Sequence, residues 1–358
     1  MPNLGLRDRD AIVTNEGLIF RALGYSHPPN AYICDAEYAP AEHFKSDNLK
    51  ALRTKDQHVF YKFYEDEAWK FLQNKFPKYL IFHDMIQRKT IGVSQDDIKE
   101  VRKPDEKLAR LIKMKPEDEL LAALQNALGL LTQHSGLAAK NFGVFGSILH
   151  GFYHPHFSDL DFTVYGRKNV LRLCETLQEL QADSSSPFGN EFGTNESIKG
   201  KQWHFKNLNP KEFVWQQRRK LIYSLFKDEK TGRIIKTEFE PVKEWKEIDS
   251  DYDSKTRIVQ KGWTKMCARI AGDDGALFMP SIYNVEPVKV LQGESSASEV
   301  TRIVSYMEEF RMQARRDETV YVEGNLEEVI TPEERLTQIS LTYCPRYYEQ
   351  VLKVISQA

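Results

Sequence analysis

Cysteines and long apolar runs are scarce in this chain, and their scarcity excludes several classes of protein. The 358 residues include four cysteines, which stand far apart in the sequence at Cys34, Cys174, Cys267 and Cys344. Such spacing fits neither a zinc knuckle nor a redox pair. No apolar run approaches the roughly 20 residues needed to span a bilayer, and the first residues hold no apolar stretch of signal-peptide length. We therefore expect a reduced, cytoplasmic protein without a membrane partner.

An excess of positive charge is also missing. The net charge is −2, so the chain as a whole does not attract nucleic acid, and any contact with RNA must come from local patches. Charged residues make up 28% and hydrophobic residues 41% of the chain, which is the composition of an ordinary globular protein. The length of 358 residues predicts two or three domains.

Against this plain background, one stretch combines a Gly-Ser turn with two closely spaced aspartates. The apolar run Phe142–Phe145 predicts a strand that ends at Gly146 and Ser147. A second predicted strand follows Asp159 and includes Asp161. Side chains alternate along a strand, so the two carboxylates point the same way and can share one metal ion. The turn nearby offers backbone N–H groups and a hydroxyl to a phosphate, which together are the parts of a phosphoryl-transfer site.

This pattern resembles the DNA polymerase beta-type nucleotidyltransferase superfamily. Gly146 and Ser147 match the family's Gly-Ser pair, and Ser158-Asp159-Leu160-Asp161 matches its Asp-x-Asp form about a dozen positions later. His150 stands where the family more often has Arg. The specific match covers residues 140–166, and the long flanks also look like a predicted archaeal nucleotidyltransferase group of unassigned role.

The resemblance implies a set of roles at this site. Asp159 and Asp161 would hold Mg²⁺ or Mn²⁺, and Gly146 with Ser147 would hold the triphosphate of an NTP substrate. His150 would contact phosphate in place of Arg, or would simply cap the helix at the turn.

Such a site usually needs a third carboxylate from a neighbouring strand, and the residues leave two candidates. The predicted strand Ile234–Val242 places Glu238 and Glu240 on one face. Glu238 is favoured because Glu240 precedes Pro241 at a strand end. Either choice assumes an insertion between residues 184 and 220, because the gap from the aspartate pair is long.

A basic pair offers another contact for phosphate. Arg218 and Arg219 follow Trp215, so they can bind a triphosphate or an RNA backbone while the indole provides a stacking surface. The alternative is a solvated helix end.

Apolar periodicity supplies the remaining elements. Leucines at helical spacing predict a helix from Pro116 to about His134, and a second helix is expected over Val170–Leu180. Residues 90–115 are charged and contain a proline, so we expect a connector there. A helix is expected at Ala297–Glu308, and Val320–Glu323 is expected to pair with Leu336–Tyr343.

These patterns favour an α+β fold in which residues 115–245 form a nucleotidyltransferase core of mixed β-sheet and helices. Residues 1–114 would form a β-rich N-terminal region with a helical connector, and residues 246–358 a β-rich C-terminal domain. The implied function is Mg²⁺-dependent transfer of a nucleoside monophosphate from an NTP to an acceptor, with RNA as the first hypothesis. Two alternatives stay open: an enzyme that acts on a protein or small molecule, and a non-catalytic nucleotide- or RNA-binding module. The sequence predicts no oligomeric state.

Overall fold

The computed structural model describes residues 5–55, 57–200, 202–249, 252–342 and 346–356. Within these ranges the chain is mixed α+β, with six α-helices and three mostly antiparallel sheets. It divides into two compact units. The first comprises the chain up to His83, Arg88–Phe188 and Leu225–Tyr252, and the second comprises Asp84–Gln87, Gly189–Ser224 and the chain from Asp253 onward. The division into three domains stays a prediction.

The first sheet lies in the first unit and is built from the N-terminal part of the chain. Its eight strands are β1 (Ala11–Thr14), β2 (Ile19–Ala22), β3 (Ala31–Pro40), β4 (Leu52–Lys55), β5 (His58–Lys62), β6 (Leu80–His83), β7 (Arg88–Ser94) and β8 (Ile98–Arg102). The main path runs β4-β5-β3-β2-β1-β8, and β7 pairs with both β3 and β6. Helix α1 (Glu67–Lys75) buries Phe71 and Leu72 in the same core as Phe20 and Tyr79.

The expectation that residues 90–115 only connect other elements is wrong. They include most of β7, all of β8 and helix α2 (Pro104–Leu111). Strand β8 pairs with β1, where Val101 lies opposite Ile12. Ile98 and Val101 pack against the core of this sheet, whereas Lys99 and Glu100 are exposed on a strand at its edge, where charged side chains are common. The proline occupies the first turn of α2, where its missing N–H costs no hydrogen bond.

The second sheet carries the Gly-Ser and Asp-x-Asp motifs. Its strands are β9 (Phe142–Val144), β10 (Leu160–Tyr165), β11 (Phe188–Asn190), β12 (Tyr223–Lys227) and β13 (Ile234–Val242), in the order β11-β12-β13-β10-β9. The central strand β10 is parallel to β13 and antiparallel to β9. Phe162 on β10 stacks on Phe239 of β13 with ring centroids 5.6 Å apart, which fixes one face of the sheet as core.

Three helices accompany this sheet: α3 (Glu119–Ser135), α4 (Gly146–His150) and α5 (Arg167–Ala182). The helices predicted over 116–134 and 170–180 are therefore confirmed. Helix α3 begins after Asp118, whose carboxylate accepts a hydrogen bond from the Leu121 N–H. It ends at Gly136, which has φ 72° and closes the helix in the left-handed conformation that glycine favours.

The second unit contains the third sheet and one α-helix, α6 (Pro210–Arg218). Its strands are β14 (Arg257–Gly275), β15 (Ser281–Gln292), β16 (Val300–Ser305), β17 (Thr319–Ile330), β18 (Arg335–Leu341) and β19 (Val351–Ser356). They run in the order β14-β15-β16-β18-β17-β19, and β14 also pairs with β17. The two segments predicted to pair lie on the antiparallel neighbours β17 and β18, but the pairing itself involves Asn325–Ile330 of β17. The predicted residues Val320–Glu323 pair instead with β14 and β19, so the expected register is wrong. Tyr343 lies outside the described residues.

The helix expected at 297–308 is wrong. A short 3₁₀ turn leads into β16, which lies between β15 and β18 and is parallel to β18. Val300 and Ile303 of this strand are fully buried. A short apolar run buried on both faces of a sheet cannot be told from a buried helix by periodicity alone, and here the sheet partners decide.

Two expectations from the sequence concern membrane spans and the cysteines. None of the helices within the described residues is long and apolar enough to cross a membrane. Cys34 and Cys174 are buried free thiols, and Cys267 is a half-buried one. Cys344 lies outside the described residues.

Candidate active site

The two aspartates lie where β10 begins. Asp159 is exposed on the loop just before the strand, and Asp161 is half-buried as the second residue of the strand. Arg233 holds the loop from the other side, because its guanidinium donates hydrogen bonds to the backbone carbonyls of Pro155 (2.6 Å) and Ser158 (2.7 Å). The segment that leads into the aspartate pair is thus fixed to the turn before β13.

The third carboxylate predicted from the sequence lies on the adjacent strand. In the parallel pairing of β10 with β13, Asp161 is directly opposite Glu238, and Thr163 is opposite Glu240. Residues opposite each other in a sheet point to the same face, so Asp161, Glu238 and Glu240 share the face away from the phenylalanine stack. Glu238 is half-buried beside Asp161, whereas Glu240 lies one pleat deeper and is 1% exposed.

Glu240 has a partner that the sequence did not indicate. The Arg9 guanidinium donates a hydrogen bond of 2.6 Å to the Glu240 carboxylate, and both side chains are almost fully buried. Arg9 also lies 5.2 Å from the ring centroid of Phe145. Strand β13 continues past Glu240 to Val242. Glu240 therefore lies inside the strand, and the expectation that it lies at a strand end is wrong.

The Asp161 carboxylate lies among several other charged side chains. Burial, together with the nearby charges of Asp159 and Glu240, raises the pKa of Asp161 to about 7. Lys62 and Arg9 act in the opposite direction. Negative charge therefore exceeds what the protein's own cations neutralise at this point, which is the condition that a bound divalent cation would relieve.

Gly146 is in contact with this carboxylate. A Cβ atom added at Gly146 would lie 2.3 Å from the Asp161 Oδ2, and Gly146 has φ 61°, a conformation that other residues rarely adopt. The Phe145 N–H also donates a hydrogen bond of 3.0 Å to the Asp161 backbone carbonyl. Glycine is thus required here for two independent reasons, and Ser147, half-buried in the first turn of α4, follows it directly.

His150 is enclosed by protein. Its ring is 1% exposed and packs edge-on against Tyr38, with Nδ1 3.2 Å from Arg102 and Nε2 3.5 Å from Glu37. Burial lowers the pKa of His150, while Glu37 acts to raise it. These surroundings favour a packing role, and the contact with phosphate stays a prediction.

Arg218 and Arg219 belong to the second unit and are described within it. Arg219 forms an ion pair with Glu318, and its guanidinium lies 4.5 Å from the ring centroid of Trp215. Arg218, the last residue of α6, is exposed. The stacking next to Trp215 is therefore already made by Arg219, whereas Arg218 faces solvent.

Three basic residues of the first unit were missed: Arg9, Lys62 and Arg233. The only local signal was the run Arg7-Asp8-Arg9-Asp10, in which alternating charges directly precede an apolar strand. All four side chains of that run are buried, which is rare for charged residues unless they are paired. No sequence pattern, however, joins Arg9 to a carboxylate more than two hundred residues away.

The chemistry of these side chains fits a divalent cation. Asp159, Asp161 and Glu238 offer carboxylate oxygens, which are the ligands that Mg²⁺ and Mn²⁺ prefer. Among the residues that the structure describes, no three His, Cys, Asp or Glu side chains are arranged as a ready-made metal site.

Comparison with known proteins gives a relationship without an assigned activity. Over 356 residues the chain is 28% identical to the uncharacterized protein MJ1086 of Methanocaldococcus jannaschii. The alignment covers 98% of this chain and 99% of that protein. No family model matches the chain, and no solved structure matches it significantly.

Proposed function

We propose that the protein is a Mg²⁺- or Mn²⁺-dependent nucleotidyltransferase of the DNA polymerase beta type, which moves a nucleoside monophosphate from an NTP to an acceptor, with RNA as the favoured acceptor. In this reaction an acceptor hydroxyl forms a bond to the α-phosphorus, and the bond from that phosphorus to the bridging oxygen breaks. The products are the modified acceptor and pyrophosphate. Residues 115–245 would be the nucleotidyltransferase core.

One observation carries this proposal. Asp161 and Glu238 lie side by side on parallel strands, and the α-carbon of Gly146 is packed against the Asp161 carboxylate. The Gly-Ser turn and the carboxylates thus lie next to one another, although Glu238 is far from both in sequence. A site of this kind can hold the phosphates of a nucleotide next to oxygen ligands for a cation.

Each group has a proposed role. Asp159 and Asp161 would hold the cation, which when bound neutralises phosphate charge and lowers the pKa of the attacking hydroxyl. Glu238 would complete the ligand set, because it is level with Asp161 and half-exposed. Glu240, which is buried and accepts a hydrogen bond from Arg9, would hold β13 in position and so position Glu238.

The test is release of pyrophosphate from each of the four NTPs with Mg²⁺ and total cellular RNA. We expect release that depends on RNA, is confined to certain NTPs, and is lost in the double variant Asp159→Asn/Asp161→Asn. The exposed Asp96→Asn is the matched control, because it also removes a carboxylate of the first unit and should leave the rate unchanged.

Other outcomes identify the alternatives. Release of pyrophosphate with a protein or small-molecule acceptor, but not with RNA, would support the alternative of a transferase that acts on a protein or small molecule. NTP binding that survives the double substitution, without pyrophosphate release under any condition, would indicate a nucleotide-binding module and would overturn the proposal. Among the glutamates, Glu238→Gln should abolish release, whereas Glu240→Gln should lower it chiefly by loosening the fold.

A further inference from the structure

One face of the N-terminal sheet is rich in basic side chains. Strand β4 pairs with β5 so that Arg53 is opposite Phe60 and Lys55 is opposite His58, and β5 pairs with β3 so that Lys62 is opposite Tyr38. Opposite residues of an antiparallel pair share a face. Arg53, Lys55, His58, Phe60, Lys62 and Tyr38 therefore lie on the same side of these strands.

This face packs on the chain that follows the Gly-Ser turn. The ring centroids of Phe60 and Tyr38 lie 4.7 and 5.3 Å from that of Phe152. A Cβ atom added at Gly151 would lie 3.4 Å from the Lys55 ammonium nitrogen. The basic face is thus placed beside α4 by apolar contacts that do not involve its charges.

Lys62 lies opposite Tyr38, whose ring centroid is 5.4 Å from that of His150 at the end of α4. Burial raises the pKa of Glu37, but His150, Lys62 and Arg9 lower it by more, and Lys62 also lowers that of Asp161. The Lys62 side chain is half-buried, and within the described part of the chain no acceptor holds its ammonium in a hydrogen bond or close ion pair. A flexible stem with three donors and a compact charge suits a phosphate group.

Positive charge continues from Lys62 toward Gly151. Burial lowers the pKa of Lys107, and the neighbouring charges of Lys55, Arg110 and Arg102 lower it further. The carboxylate of Glu100 balances part of this positive charge, because it forms an ion pair of 2.9 Å with Arg102. Lys55, Arg102, Lys107 and Arg110 thus form a group of neighbouring cations on this side of the turn, whereas Asp159 and Glu240 add negative charge next to Asp161.

We propose that Lys62, assisted by Lys55, binds the β- and γ-phosphates of the nucleotide, which are the groups that leave as pyrophosphate. This inference rests on the proposed function, because it assumes that the α-phosphate lies at the Asp161 carboxylate. It assigns the recognition of the leaving group to the N-terminal sheet, outside the segment that carries the motif.

Titration calorimetry of the full chain in excess Mg²⁺ tests the inference, with ATP, inorganic pyrophosphate and AMP as probes. Loss of one charged hydrogen-bond donor predicts that Lys62→Gln weakens binding of ATP and pyrophosphate by about tenfold or more. Binding of AMP should stay within about twofold, since AMP lacks the phosphates that Lys62 would contact. Lys55→Gln should have a smaller effect of the same kind.

Two further variants separate charge from folding. Lys62→Arg keeps the charge and should retain most of the affinity for pyrophosphate. Lys99→Gln, at an exposed lysine of β8 in the same sheet, should bind all three probes like the wild type. Equal affinity of Lys62→Gln and wild type for pyrophosphate, an equal loss for AMP, or no binding of polyphosphate by the wild type would each overturn the inference.

Failure of the proposed function would look different. A wild-type protein that binds ATP and pyrophosphate through Lys62, yet transfers no nucleoside monophosphate to any acceptor, would support the polyphosphate site and reject the transferase.

Discussion

At the scale of single residues, the first unit buries an unusual amount of charge next to its carboxylates. Arg9 is 3% exposed and Glu240 is 1% exposed, and they are joined by a hydrogen bond of 2.6 Å. Asp8 lies 3.6 Å from the same guanidinium. A buried pair of this kind adds little net stability compared with apolar residues, but removing one partner leaves the other charge uncompensated.

We therefore predict that Arg9→Met lowers the free energy of unfolding by about 3–5 kcal/mol, because Glu240 would stay buried without its cation. Urea unfolding followed by circular dichroism measures the change. The double variant Arg9→Met/Glu240→Gln should recover part of the loss, since the charge of Glu240 is then removed as well, while Asp8 still lacks the guanidinium beside it. A single variant that stays within about 1 kcal/mol of wild type would contradict the buried pair.

The raised pKa of Asp161 gives a prediction for pH. A carboxyl whose pKa rises from 3.8 in the unfolded chain to about 7 in the folded one stabilises the fold fully at low pH, and this contribution is lost as the pH rises through 7. In metal-free buffer, the stability of the wild type relative to Asp161→Asn should thus fall between pH 4 and 8, by about 4 kcal/mol at most.

Thermal unfolding across that pH range, with a chelator present, checks the sign. The stability of the control variant Asp96→Asn, which is substituted at an exposed position, should change with pH in parallel with that of the wild type. Asp10, whose pKa burial also raises to about 7, remains in every variant and cancels in the difference. A difference that grows with rising pH in favour of the wild type would rule out a raised pKa at Asp161.

At the scale of elements, the junction of β9 with α4 depends on a glycine held against β10. Gly146→Ala should lose affinity for Mn²⁺ by about tenfold or more, because the new methyl group displaces the Asp161 carboxylate. The control is Gly136→Ala, which has a similar φ of 72° but open space around its Cβ position. Both variants should lose about 1–2 kcal/mol of stability from the left-handed backbone.

Electron paramagnetic resonance of free Mn²⁺ gives the affinities, and thermal unfolding gives the stabilities. The comparison isolates the contact from the backbone strain, which the two sites share. Equal Mn²⁺ affinity for the two variants would show that the approach of Gly146 to Asp161 has no bearing on a metal site.

The sequence predicted correctly those helices and strands whose signals lie within one short stretch of the chain. The leucine spacing of α3, and the position of Asp161 at the start of an apolar run in β10, were sufficient. The sequence failed at β8 and β16, whose polarity or length is ambiguous until the partner strands are known. The same limit applies to the site, because Asp159 and Asp161 belong to a contiguous motif, whereas Arg9 and Lys62 reach it only through tertiary packing.

At the scale of the whole molecule, positive and negative charges nearly cancel. With a net charge of −2, electrostatic attraction of RNA must come from a few exposed cations. In the second unit many basic side chains are already paired, as Arg219 is with Glu318 and Lys353 with Glu212. Arg218 is exposed next to Trp215, which is 39% exposed.

We predict that Arg218→Ala weakens binding of single-stranded RNA by a few-fold and reduces the slope of log K against log salt by about 0.7, the value for one phosphate contact on a single strand. Lys289→Ala on β15 removes another exposed cation of the same unit and serves as the control. Fluorescence anisotropy with labelled RNA at several salt concentrations measures both quantities. If net charge alone governed binding, the two variants would change affinity and slope equally; a loss confined to Arg218→Ala would place the RNA contact at the end of α6.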